Sequence, residues 1–319
     1  MRILAWLLAL LLLSSVAGAP EPLPGGPLLG VACRPSGTLN LVSLVDLRLV
    51  GSVGGLVEPR AIAASPDGRW VLAASGSEDL VQVVDLDVGE MVYPIRSQYT
   101  LRPADVAFSS DGQAAYILSA GLKAVVEVVV PSWAMRRVLP LHGPAPRCFA
   151  VAGNRMLVVH EQKFLSEVDL AQWKVVRQDA FAEEIGSVAW SEPKDLLLVT
   201  APSRNLALIY RLSSREGVLQ VPTGEDPGAV RVSADGERAV VVNRKSYDVS
   251  VFNPADGTGR FRTASGTSPR DFALSRDGRW MFLANFDSND LSVIDLENAR
   301  EMGKLPLDRG PESVIFIGR

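Results

Sequence analysis

Arginine directly follows the proline that opens a repeat unit at three places in this chain, Arg60, Arg147 and Arg270. Guanidinium groups brought to one spot can hold a carboxylate or phosphate through paired hydrogen bonds. Asp105, Asp271 and Glu312 stand at the same or the next position of their units, so a rim built from these residues is mixed in sign. The same charges paired with one another would make only a solvated rim. Arg231 stands where five of the seven units carry alanine, and a charge there needs a partner or water. His160 and Cys33 are the reactive side chains at or beside the ends of second strands. Asn and Ser at such positions commonly finish a strand by bonding to backbone, which is the competing structural role.

Other chemistry is poorly represented. The two histidines, His142 and His160, lie in unrelated contexts, and no zinc spacing appears. Cys-x-x-Cys-His, a nucleophile elbow, a Walker loop and a dinucleotide fingerprint are all absent, so no cofactor is expected. The channel-mouth candidates are therefore Arg60, Asp105, Arg147, Arg231, Arg270, Asp271, Glu312 and His160.

What must position them is a repeat. Tight-turn residues recur at Gly68, Gly112, Asn154, Lys194, Gly236 and Gly278, separated by 44, 42, 40, 42 and 42 residues. Four lie in near-copies of one phrase, SPDGRW, SSDGQA, SADGER and SRDGRW. A period of this length with four short strands per unit marks a β-propeller, and Asp-Gly suits a tight hairpin turn. A second register runs through Pro59, Pro103, Pro146, Pro227, Pro269 and Pro311, with Ile185 standing in for one proline. Proline is tolerated as the first residue of a strand. Three residues on stand Ile62, Val106, Phe149, Val188, Val230, Phe272 and Val314, as an innermost strand packed between neighbours requires.

The blade count follows from the spacing. Stepping on from Gly278 runs past the chain end, leaving one strand after Pro311, whereas stepping back from Gly68 reaches Gly26, followed by three apolar segments. The sequence thus predicts an all-β, seven-bladed β-propeller of four-stranded antiparallel blades. Its last blade combines one C-terminal and three N-terminal strands, which removes exposed sheet edges. The pattern P-x-x-hydrophobic, S-x-D-G-x-x-hydrophobic, A-N, S-V-I-D, best seen from Pro269 to Leu307, resembles the YVTN-type β-propeller repeat of exported bacterial proteins. Similar propellers include cytoplasmic lactonases and the haem d1 domains of nitrite reductases, so the resemblance implies a fold and leaves the chemistry open.

Composition narrows the setting. With 32 Lys+Arg against 36 Asp+Glu and no basic run, the chain lacks the electrostatic footprint of a nucleic-acid binder. Residues 1–19 read as a signal peptide cleaved near 17–19: Arg2, then an apolar run from Ile3 to Leu13, then small residues. The run is too short for a transmembrane anchor. Residues 20–319 then form one domain, expected to be periplasmic or secreted and monomeric. Cys33 and Cys148 lie in different repeats, and a lone bridge between them stays open. The expected function is an exported binding or interaction module, holding a small anionic ligand or a protein partner at the channel mouth. A lactonase-like hydrolase and a tetrapyrrole-handling propeller are the alternatives.

Overall fold

The computed structural model describes residues 26–275 and 277–318, so the proposed signal segment lies outside the described residues. Seven four-stranded antiparallel sheets form a ring. The innermost strands of blades 1 to 7 are Pro59–Ala64, Pro103–Phe108, Pro146–Ala152, Val188–Ser191, Pro227–Val232, Pro269–Leu274 and Pro311–Ile317. Six of them start on the proline seen in the sequence; the blade with Ile185 starts later, at Val188. In blade 7 the C-terminal strand pairs with Leu28–Cys33, opposing Leu29 to Phe316 and Val31 to Val314. Thr38–Ser43 and Arg48–Val53 complete the sheet. The ring closes without a covalent link between its ends.

The core lies in the seams between blades. Each innermost strand turns alternate side chains to its two neighbours: Ile62 and Ala64 pack with Leu28, Ala32 and Ile317 of blade 7, while Ala61 and Ala63 pack with Val106 and Phe108 of blade 2. The apolar clusters repeat this arrangement around the whole ring. Burial between sheets therefore holds the blades together, each apolar side chain contributing on the order of 1.5–3 kcal/mol. Both cysteines are free thiols, so no bridge supplements the core.

The turns depart from the sequence reading in two ways. The Asp-Gly phrases close as wider loops: Ser65 N–H donates to Trp70 O and Gly68 N–H to Ser65 O. The Ser65 hydroxyl donates to Asp67 Oδ1 at 2.5 Å, and Asp67 Oδ1 also accepts Arg69 N–H at 3.1 Å. Gly68, Gly112, Gly236 and Gly278 take φ between 70° and 73°, a left-handed conformation that favours glycine. In the drifted blades the left-handed residue is Gly153, not Asn154, and Asp195, not Lys194. Blade 3 is thus shifted by one residue relative to the spacing read from the sequence.

Candidate functional site

At the axis the innermost strands enclose a cavity of about 470 Å³, within the range of small-molecule sites. Four arginines, Arg60, Arg231, Arg244 and Arg270, and three carboxyl groups, Asp105, Asp271 and Glu312, are among the residues lining it. The charged lining is therefore richer in cations than in carboxylates, in a chain whose formal charge is −4. Six of the residues singled out from the sequence meet here.

Two do not. Arg147 turns outward, donating to Glu184 Oε1 at 3.1 Å and Ile185 O at 3.4 Å, and lines a separate surface depression with Glu161 and Lys163. His160 is fully buried inside blade 3. Its Nε2 lies 2.8 Å from Ser166 Oγ and its Nδ1 2.9 Å from Pro144 O. The shifted turn explains its place: counted from Gly153, His160 rather than Glu161 falls at the seventh position and pairs with the opening Pro146. Asn243 and Asn285 hold the same position in blades 5 and 6 and donate to Ser250 and Ser292 at 2.9 and 2.8 Å. Cys33 follows suit, its Sγ 3.4 Å from Asn40 Oδ1. This row ties second strands to third strands, and burial lowers the His160 pKa, leaving the ring neutral at neutral pH.

The carboxylates of the cavity divide into two kinds. Asp105 and Asp271 occupy equivalent places and each reaches the next blade. Asp105 accepts Val106 N–H at 2.9 Å and Phe149 N–H at 3.0 Å. Asp271 accepts Val314 N–H at 3.2 Å and the Ser313 hydroxyl at 3.0 Å, and its other oxygen takes Arg231 at 2.7 Å. Arg231 also donates to Phe272 O at 2.8 Å, so this inner-strand cation is paired across the seam. Burial raises Asp105 to about 7, against the lowering effect of its two backbone donors; nearby Asp271 adds to the rise.

Glu312 is the other kind. It stands one place after the opening proline, like Arg60 and Arg270 in the adjoining blades, and burial raises its pKa against the pull of Arg270, Arg34 and Arg60. Arg34 approaches it at 3.7 Å. Arg270 stacks over the Phe286 ring at 4.9 Å. Sequence reasoning missed Arg34 and Arg244. They lie one residue beyond the strand-end row, after Cys33 and Asn243, and that offset was the available signal. Arg244 donates to Asp226 at 2.7 Å. Cys148 also lines the cavity, its thiol pushed up to about 12 by burial and so uncharged at neutral pH.

Residues 198–309 match the family described as lactonase, 7-bladed beta-propeller. The match takes in Arg231, Arg244, Arg270 and Asp271 but not Arg60, Asp105 or Glu312. A dihydro-heme d1 dehydrogenase of Pseudomonas aeruginosa is 22% identical, over 94% of this chain and 64% of its own length. The chain thus spans a little under two thirds of that curated relative. Hydrazine synthase of Kuenenia stuttgartiensis superposes with a TM-score of 0.73 at 18% identity, covering 83% of this chain and 94% of that one. A functionally unknown protein from Desulfotomaculum acetoxidans DSM 771 gives 0.76 at 14% identity, covering 91% and 98%. At such identities the solved structures show a shared fold alone.

Proposed function

We propose that this chain is an exported binding propeller that receives a carboxylate-bearing ligand at the axial cavity, with Arg60 and Arg270 as its recognition groups. The observation that carries the reading is that both guanidinium groups border the cavity without an ion pair to any described carboxylate. Arg231 and Arg244, by contrast, are engaged with Asp271 and Asp226. A small anion filling the cavity would meet guanidinium groups from blades 1 and 6 and bury part of its apolar body against the half-buried Phe108, Val151 and Ile315.

Calorimetric titration with citrate and with sulfate tests this. Replacing Arg60 and Arg270 together by alanine should weaken binding by about tenfold or more, as expected for charge-assisted hydrogen bonds. Arg147→Ala, outside the cavity, should leave it unchanged. Equal affinity in all the variants would remove the reading.

The similarity to a dihydro-heme d1 dehydrogenase across 94% of the chain favours a tetrapyrrole as the carboxylate carrier. The cavity fits the carboxylates of such a group better than its metal: neither His160 nor His142 lines it, and the Cys148 thiol is held protonated. Haem titration followed by absorbance should give binding that Arg60→Ala and Arg270→Ala weaken, without the spectrum of histidine ligation. The lactonase match raises hydrolysis as a rival. Asp105 has the near-neutral pKa of a general base, yet both its oxygens already accept backbone N–H groups. Turnover of a sugar-lactone panel, abolished by Asp105→Asn, would favour hydrolysis over simple binding.

A further inference from the structure

We propose that Glu312 is a built-in counter-anion, occupying the arginine cluster until the anionic group of a ligand takes its place. The inference rests on the reading of the cavity as an anion site and adds how that site is kept in its free state.

The chain places Glu312 where blades 1 and 6, on either side of blade 7, place Arg60 and Arg270. Arg34, at the end of the strand paired with the closing strand, brings a third guanidinium group to the same carboxylate. Three cations gathered without a counter-charge would repel one another, and a carboxylate supplied by the protein offsets that repulsion.

The pairing is nevertheless loose. Arg34 comes no closer than 3.7 Å, whereas a closed guanidinium–carboxylate pair lies at roughly 2.7–2.9 Å and is often bidentate. Glu312 Oε2 is shielded from solvent yet accepts no hydrogen bond, and Arg270 Nε is shielded and donates none. With Arg244 Nε, also orphaned there, the cavity holds one acceptor and two donors without partners, a cost that a bound anionic group could relieve at the donors. A ligand carboxylate or phosphate can bond Arg60 and Arg270 directly once Glu312 withdraws or takes up a proton. The charged groups facing Glu312 are Arg34, Arg60 and Arg270, which favour its ionised form, and Asp271, which with burial opposes it.

Glu312 therefore competes with the ligand, and removing its charge should tighten anion binding. Sulfate is the probe, since its charge stays constant from about pH 4 to about pH 8. By calorimetry, Glu312→Gln should bind sulfate about tenfold more tightly than the wild type at neutral pH. The gap should narrow on acidification, as Glu312 in the wild type becomes protonated. Glu312→Ala makes the same comparison if the glutamine variant melts early. Affinity in both variants equal to or below that of the wild type, with Arg270→Ala still weakening binding, would overturn the counter-anion and leave the anion site standing. Binding of neither sulfate nor citrate by the wild type or Glu312→Gln would remove both.

Discussion

Arg231 donates to Asp271 Oδ1 at 2.7 Å across the seam between blades 5 and 6, while Asp271 Oδ2 accepts from Ser313 and Val314 of blade 7. One carboxylate therefore couples three blades, with strands from both ends of the chain in the last of them.

That division of labour makes the two partners unequal. Asp271→Ala strands the Val314 N–H, the Ser313 hydroxyl and the Arg231 charge together, and should cost about 2–4 kcal/mol. Arg231 is more exposed, and Arg231→Ala leaves Asp271 bonded to Ser313 and Val314, so it should cost about 1 kcal/mol or less. Urea unfolding of both variants measures the difference; equal losses would show that the cross-seam pair, not the bonds to blade 7, dominates.

Asp105 gives a pH signature. Its carboxyl titrates at about 7 in the fold against an ordinary value of 3.8, so the folded state binds the extra proton between these limits. Stability from this group is full below about pH 4 and is lost as pH rises through about 7. Relative to Asp105→Asn, the wild type should therefore lose stability steadily over this window. A flat difference in unfolding free energy across it would contradict the burial argument.

His160 has the opposite sense. Its pKa is depressed by burial, so the unfolded chain takes up a proton first and stability falls as pH drops below about 6.5. Asn performs the same strand-end role in blades 5 and 6, bonding a serine on the third strand. His160→Asn should fold, retain a bond to Ser166, and flatten the acid limb of a thermal-melt profile. His160→Ala should leave the Pro144 carbonyl without its imidazole partner and Ser166 bonded only to Gln178, costing about 1–3 kcal/mol.

Ring closure can be tested directly. Val314→Pro removes the N–H bonded to Asp271 inside the innermost strand of blade 7. A proline there should destabilise the whole ring by about 3 kcal/mol or more, because an opened ring exposes a sheet edge. Size-exclusion chromatography should show association of the variant; a monodisperse variant as stable as the wild type would refute non-covalent closure as the source of stability.

Both thiols are free, so denatured and unreduced protein should titrate two thiols per chain. In the folded state Cys148 should react slowly at neutral pH, its pKa being about 12.

The architecture was legible because it is periodic. Prolines at fixed spacing, Ser-x-Asp-Gly loops and alternating apolar residues each report one strand, and repetition corrects for a weak signal in any single blade. Where the repeat drifts the reading slipped: Gly153 in place of Asn154 moved blade 3 by one residue and placed His160 in the strand-end row instead of beside it. Composition and spacing could also bring Arg60, Arg147 and Arg270 to equivalent positions, since equivalence is a matter of counting. Direction is not. Arg147 leaves the cavity because Glu184 and the Ile185 carbonyl lie on its outer side, and Arg34 joins Glu312 because the first and last strands pair. Local sequence thus determines the strands, the turns, the blade number and the positions open to the axis. Which charges meet, which are cancelled across a seam and which are left unpaired depends on contacts between residues some 40 to 280 positions apart, and only the closed ring decides those.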